Sequence, residues 1–172
     1  LPSGMSLVRG AYVEPVAAAL GALAVVERGA RVLVCGPGRI SELTARVLEA
    51  HGAAVAREAW GGSSFDVVIE HDGGDPMAML AMLRPGGTLV LKSRAHRRVA
   101  IDPGELVARD LAVRGASHGS FAAAVDWLHA GRIAIDDLLA PPRPLEEFEA
   151  VFEAERAGEQ RKQMFAIRPE ST

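Results

Sequence analysis

Cysteine is nearly missing: Cys35 is the one thiol in 172 residues. No disulfide can form within the chain and no cysteine spacing can build a metal site, so a reducing, cytoplasmic setting is expected. A basic surplus is missing too. Nineteen Lys and Arg against 22 Asp and Glu leave a formal charge of -3, and a nucleic-acid surface needs a cationic face. Only Arg94, His96, Arg97 and Arg98 cluster, and they read as a solvated loop. The chain has no uninterrupted run of about eighteen apolar residues and no basic-then-apolar leader, so neither a membrane partner nor a signal peptide is expected. Internal repeats are absent, low complexity is confined to the terminal PEST, and no Ser-His-Asp or Cys-His constellation follows from spacing.

What is present suits one soluble domain with a real core: 49% apolar and 24% charged residues. The first residue is Leu1, which leaves room for a longer parent chain or a separate upstream partner.

Along the chain, residues 15–26 (PVAAALGALAVV) predict a buried helix, with Pro15 in a first turn where its missing N–H costs nothing. A strand follows at 31–35, a helix at about 40–51 closed by Gly52, and a strand at 53–58. After WGGSS comes a strand at 65–70, then a helix at 76–83. A tight turn at Arg84-Pro85-Gly86-Gly87 leads into the strand TLVLKS, whose near-continuous apolar pattern predicts burial on both faces. A short helix at 102–110, a strand at 111–115 and an amphipathic helix at 121–130 complete the alternation. Strands alternating with helices imply a doubly wound α/β domain, its parallel sheet covered on both faces. The tail is different: LLAPPRP is too proline-rich for a central strand, residues 145–155 form a helix with an acidic face, and QMFAIR makes a last short strand outside the main sheet.

The first candidate site is the turn in RVLVCGPGRISELTARVLEAHGA. A strand hands over to a helix through Gly36 and Gly38, where a phosphate can use free N–H groups and the helix dipole. The third position of this G-x-G motif is Ser41, whose hydroxyl crowds the close helix-to-strand approach that glycine permits there.

These segments, with VEPVAAAL, FDVVIEHDGG, AMLRPGGTLVLKS, DLAVRGASHGSFAAAVDWLHAGRI and PLEEFEAVFE, resemble in order and spacing the C-terminal half of a medium-chain dehydrogenase/reductase. That is the zinc-type alcohol dehydrogenase superfamily, above all its sorbitol, threonine and glucose dehydrogenase branch. The resemblance spans most of residues 7–168 and implies a Rossmann-like sheet, shortened to five main strands in the order 2-1-4-5-6 of the usual labels. It further implies an entry segment and helix over 1–30, a nucleotide-binding domain over 31–135, and a returning tail over 136–172 that in the family completes the catalytic domain. The cofactor would be NAD or NADP, with Gly36, Gly38, Arg39, Ile40 and Ser41 at the pyrophosphate and Asp72, Gly73, Lys92 and Ser93 near ribose and nicotinamide.

Departures accompany the likeness. The family's catalytic domain, with most zinc ligands and the substrate cleft, is not in these 172 residues. Glu14, in VEP, matches a position that approaches the catalytic zinc, but one carboxylate cannot hold an ion that takes about four ligands, so zinc is not expected here. Only WGGSS stands where the family has a helix and a third strand. The ribose-selecting position falls on Arg57 and Glu58: Glu58 inward would favour the free 2'-hydroxyl of NAD, Arg57 inward the 2'-phosphate of NADP. His71 and Asp72 read as a polar strand end, His118 as a loop residue, and Trp60 and Trp127 as packing. An upstream catalytic domain, or a homodimer joined through the strand at 111–115, is expected to cover the open edges. Two other readings stay open: a non-catalytic interaction or structural module, for instance within a larger biosynthetic protein, and an S-adenosylmethionine-dependent methyltransferase, because RPGGTLVL after DVVIE also occurs there. The first glycine loop, however, lacks the acidic D-x-G-x-G character of such enzymes.

Overall fold

The computed structural model describes residues 1–59, 64–94, 98–159 and 161–166. Trp60, His96 and Arg97 lie outside them. Helices α1 (Leu7–Gly10) and α2 (Val13–Leu20) open the chain, and α2 runs into a 3-10 turn at Gly21–Ala24. Then alternate β1 (Arg31–Cys35), α3 (Arg39–His51), β2 (Ala54–Ala56), β3 (Phe65–Glu70), α4 (Pro76–Ala81), β4 (Leu83–Leu91), α5 (Pro103–Ala108), β5 (Ala112–Gly115) and α6 (Phe121–His129). The five strands form one parallel sheet in the order β2-β1-β3-β4-β5. This is the expected doubly wound order with its third strand left out: among the described residues, no strand pairs beyond β2.

The residue pattern of β1 follows from burial on both faces. Val32 and Val34, beside Val67 and Ile69 of β3 in register, pack against Ala45 and Leu48 of α3. Leu33 points the other way and joins Val68 and Leu89 over Met79 and Leu80 of α4. A third cluster, with Tyr12, Val16, Leu43, Val47, Trp127 and Leu128, locks α2, α3 and α6 together. Each fully buried Leu or Val in these layers contributes roughly 1.5–3 kcal/mol. The stretch Leu7–Ala24 is long and apolar enough to cross a membrane by length and mean hydropathy, which a search for an uninterrupted apolar run overlooks because Arg9 and Glu14 break it. Its α2 portion nonetheless belongs to the core, with Val16, Ala17 and Ala19 fully buried.

Several boundaries differ from expectation, three of them in ways that bear on the sheets or the site. Strand β2 ends at Ala56 rather than at 58. The sequence Arg84-Pro85-Gly86-Gly87 is no separate turn but an irregularity within β4: Phe65 pairs with Leu83, yet Val67, two residues on, pairs with Thr88. In the tail, β6 (Arg143–Pro144) and β7 (Phe165–Ala166) are two residues each and make their own parallel pair, with α7 (Phe148–Arg156) between them. Arg46 of α3 holds the start of this tail, donating to both carboxylate oxygens of Asp137 at 2.7 Å and to the Ala134 carbonyl at 2.9 Å.

Candidate functional site

Strands β1 and β3 are neighbours, but the chain leaves β1 toward β2 and leaves β3 toward β4. The crevice between their C-terminal ends is therefore the switch point of the sheet, where doubly wound folds bind ligands. Gly36, Pro37 and Gly38 form one wall. Gly36 has φ +108° and Gly38 φ +94°, conformations that side-chain-bearing residues rarely adopt. A Cβ on Gly36 would lie 3.2 Å from Asp72 Cβ and 3.3 Å from Asp72 N, so the turn lies directly against the loop after β3. Helix α3 then starts at Arg39 without a side-chain cap, leaving the N–H groups of Arg39, Ile40 and Ser41 without intrahelical acceptors at the positive end of the helix. Ser41 is accommodated rather than crowding the strand: it is buried, and its Oγ donates to the Pro37 carbonyl at 3.3 Å. The Arg39 side chain leaves the crevice for Glu155, 3.4 Å away.

Toward β2, a cavity of about 170 Å³ is lined by Val34, Gly36, Gly38, Ser41, Glu42 and Arg57. Because β2 stops at Ala56, strand alternation does not decide between Arg57 and Glu58, which lie in the bend beyond it. Arg57 turns back onto α3. Its Nε donates to Glu42 Oε2 at 2.7 Å and its Nη1 to Glu49 Oε1 at 2.6 Å, while Nη2 reaches Glu42 at 3.1 Å and Glu49 at 3.3 Å. The hydrogen bond from Arg57, seconded by Arg46 at 2.9 Å, holds the Glu42 carboxyl below the usual carboxylate range. Glu58 is exposed.

On the opposite side, beyond β4 and β5, a cavity of about 530 Å³ is lined by Glu14, Ile40, His71, Lys92, Ser93 and His118, among others. Lys92 is half-buried, and its ammonium donates to the carbonyls of Ala18 at 2.8 Å, Ser117 at 3.2 Å and Ala116 at 3.4 Å. Burial pushes its pKa down. This clamp draws the loop after β5 onto the end of α2, so closely that a Cβ on Gly21 would fall 2.0 Å from the Ser117 carbonyl oxygen. One consequence is that His118 Nε2 lies 2.8 Å from Glu14 Oε1, with His118 Nδ1 3.3 Å from Ser117 Oγ. Glu14, which reads as an isolated carboxylate in the sequence, has a partner. His71 Nε2 is buried without a hydrogen-bond partner, and burial together with Lys92 lowers its pKa to about 4, so the ring is neutral at pH 7. Among the described residues, no group of three His, Cys, Asp or Glu side chains could hold a metal ion.

One buried acid escapes the sequence reading. Glu70, 2% exposed at the end of β3, accepts from Ser93 Oγ at 2.9 Å and Ser93 N at 3.3 Å with one carboxylate oxygen, and from the Gly73 N–H with the other. It ties Gly73, in the turn after β3, to Ser93, just beyond β4. Its signal is an acid closing the otherwise apolar strand FDVVIE. Asp72 supports only its own turn, accepting from Gly74 N at 3.0 Å. Cys35 is inert here: burial, then Asp72 and Glu70, push its thiol up to about 11.

Comparison with known proteins agrees with this geometry. No family model matches the chain. A probable D-xylulose reductase A of Aspergillus clavatus is 26% identical over 210 residues, an alignment taking in 96% of this chain and 59% of that protein. The chain thus spans about three-fifths of the length of the curated relatives it matches. The alignment is also longer than the chain itself, so the relative carries residues inside the matched region that this chain lacks, in keeping with the shortened sheet. Among solved structures, the short chain alcohol dehydrogenase rspB of Escherichia coli CFT073, complexed with NADH, superposes with TM-score 0.84 at 13% identity over 97% of this chain and 61% of that one. A Sinorhizobium meliloti 1021 protein named as a zinc-binding dehydrogenase, bound to NADP, superposes with TM-score 0.81 at 24% identity over 95% and 60%. Both likenesses establish the fold.

Proposed function

We propose, from the premise that this chain is a homologue of the zinc-type alcohol dehydrogenases of the medium-chain dehydrogenase/reductase superfamily, that it is the nucleotide-binding portion of an NAD(P)-dependent oxidoreductase. The observation that carries the reading is the Gly36-Pro37-Gly38 turn at the sheet's switch point, pressed against Asp72 and opening onto the uncapped start of α3. The residues present fit a dinucleotide. The α3 N–H groups can receive a pyrophosphate, the 170 Å³ cavity lies on its adenosine side, and the 530 Å³ cavity with Lys92 and Ser93 lies on its nicotinamide side. Lys92 and Glu70 act as positioning residues, fixing the loops after β5 and β3. The bound nicotinamide supplies hydride transfer to or from an alcohol or carbonyl substrate. That substrate is held by a catalytic domain that the 172 residues do not supply, with Glu14 and His118 facing it across the larger cavity.

A second reading, an interaction module, is favoured by Leu145, Phe148 and Phe152, which are about half exposed on the tail. Calorimetric titration with NAD(H), NADP(H) and S-adenosylmethionine separates the readings. Gly38→Asp serves as the control, since it sets a carboxylate at the phosphate position on a backbone with φ +94°. Micromolar binding of a nicotinamide dinucleotide, lost in that variant, is the expected result. Absence of binding by all three ligands would favour the interaction module.

A further inference from the structure

We propose that Glu42 and Glu49, by holding Arg57 between them, make the adenosine end of this crevice select a ribose with a free 2'-hydroxyl, that is, NAD over NADP. The inference rests on the dinucleotide reading and deepens it. Of the described residues lining the 170 Å³ cavity, Arg57 is the one cation, and a cation there is what a 2'-phosphate needs. Its guanidinium has five N–H donors. Four hydrogen bonds between 2.6 and 3.3 Å go to the two carboxylates of α3.

Charge completes the argument. Arg57 between Glu42 and Glu49 leaves the trio one negative charge in excess. Arg46, whose Nε also donates to Glu42 at 2.9 Å, does not redress it, because it brings Asp137 with it: two arginines against three carboxylates keep one negative charge in excess. A phosphate is an acceptor only and carries negative charge of its own, so it meets a fork with a single N–H left over and an excess of like charge. A hydroxyl can donate, and the carboxylate of Glu42, which lines the cavity, can accept from it. The glycine turn and the helix end serve either dinucleotide, and relatives of this fold have been solved with NADH and with NADP. The choice therefore falls to Arg57, just beyond β2, and the two α3 carboxylates that hold it.

The test is fluorescence and calorimetric titration of the full chain with NADH and NADPH. Three variants are compared: Glu42→Gln/Glu49→Gln, Arg57→Ala, and the triple combination, each first checked for an unchanged melting transition. The expected wild-type preference for NADH is at least tenfold, about 1.4 kcal/mol. It narrows with added salt, because side-chain exposures of 31 to 43% leave the trio open to screening. Neutralising both glutamates frees Arg57 and shifts the ratio at least tenfold toward NADPH, and adding Arg57→Ala removes that gain. Equal or tighter binding of NADPH by the wild type, or a ratio unmoved by the double variant, overturns the selection while leaving the nucleotide site standing. Binding of neither dinucleotide overturns the nucleotide reading and the selection with it.

Discussion

His118 Nε2 lies 2.8 Å from Glu14 Oε1, although the two residues are 104 positions apart. The contact joins the first turn of α2 to the loop after the last strand of the main sheet. What holds it is the backbone around it: Gly119 N donates to the Ala17 carbonyl at 2.7 Å, and Lys92 bridges Ala18 to Ser117. The side-chain pair itself is a minor term, since Glu14 is 59% exposed. A double-mutant cycle of His118→Ala and Glu14→Ala, read by urea unfolding, is expected to give a coupling below about 1 kcal/mol. A larger value would mean that the pair, not the backbone clamp, seats the loop.

His71 gives the fold an acid-side pH dependence. Its folded pKa of about 4 lies below the ordinary 6.5 because the ring is buried and faces Lys92. The unfolded chain therefore takes up a proton near pH 6.5 and the folded chain only near 4. Stability is full above pH 6.5 and falls as the pH drops to 4, by up to roughly 3 kcal/mol. Urea midpoints measured between pH 7 and pH 5 should drop in the wild type and flatten in His71→Gln. The carboxylates that ion pairs hold below their ordinary range, Glu42, Asp66 and Asp137, are lost only at lower pH and leave this window to His71.

Element type was legible wherever burial imposed a period. RVLVC and FDVVIE end where the sheet ends, and Gly52 terminates α3 with φ +101°. Legibility failed where tertiary partners decide. The span of β2 is set by its pairing with β1 through Arg31, Val32 and Leu33, which releases Arg57 to the helix. The Arg84–Gly87 segment has turn chemistry but is carried inside β4, opposite Asp66, whose carboxylate accepts from Arg84. The glycine wall of the site could be read from local spacing alone. The contacts His118 to Glu14, Arg57 to Glu49 and Glu70 to Ser93 could not, because each depends on which loops the sheet order brings together.

Glu70 tests whether the loops after β3 and β4 are positioned or merely adjacent. Its carboxylate is an acceptor at both oxygens, and the structure uses both: Ser93 N and Oγ on one, Gly73 N on the other. Glu70→Gln keeps the size but turns one acceptor into an NH₂ donor, which must then face a donor from one loop. A buried donor left unsatisfied costs about 1–3 kcal/mol, so the unfolding free energy should fall by that amount. The cost lies in the loops, so the sheet should stay intact and dinucleotide affinity should fall further than the Gly36 turn alone would explain. Glu70→Ala, which also opens a void, should cost more than Glu70→Gln on both counts. If Glu70→Gln instead melts and binds like the wild type, Glu70 does not hold the two loops, and the shape of the cleft must come from other groups lining it, such as Leu91 and Pro76.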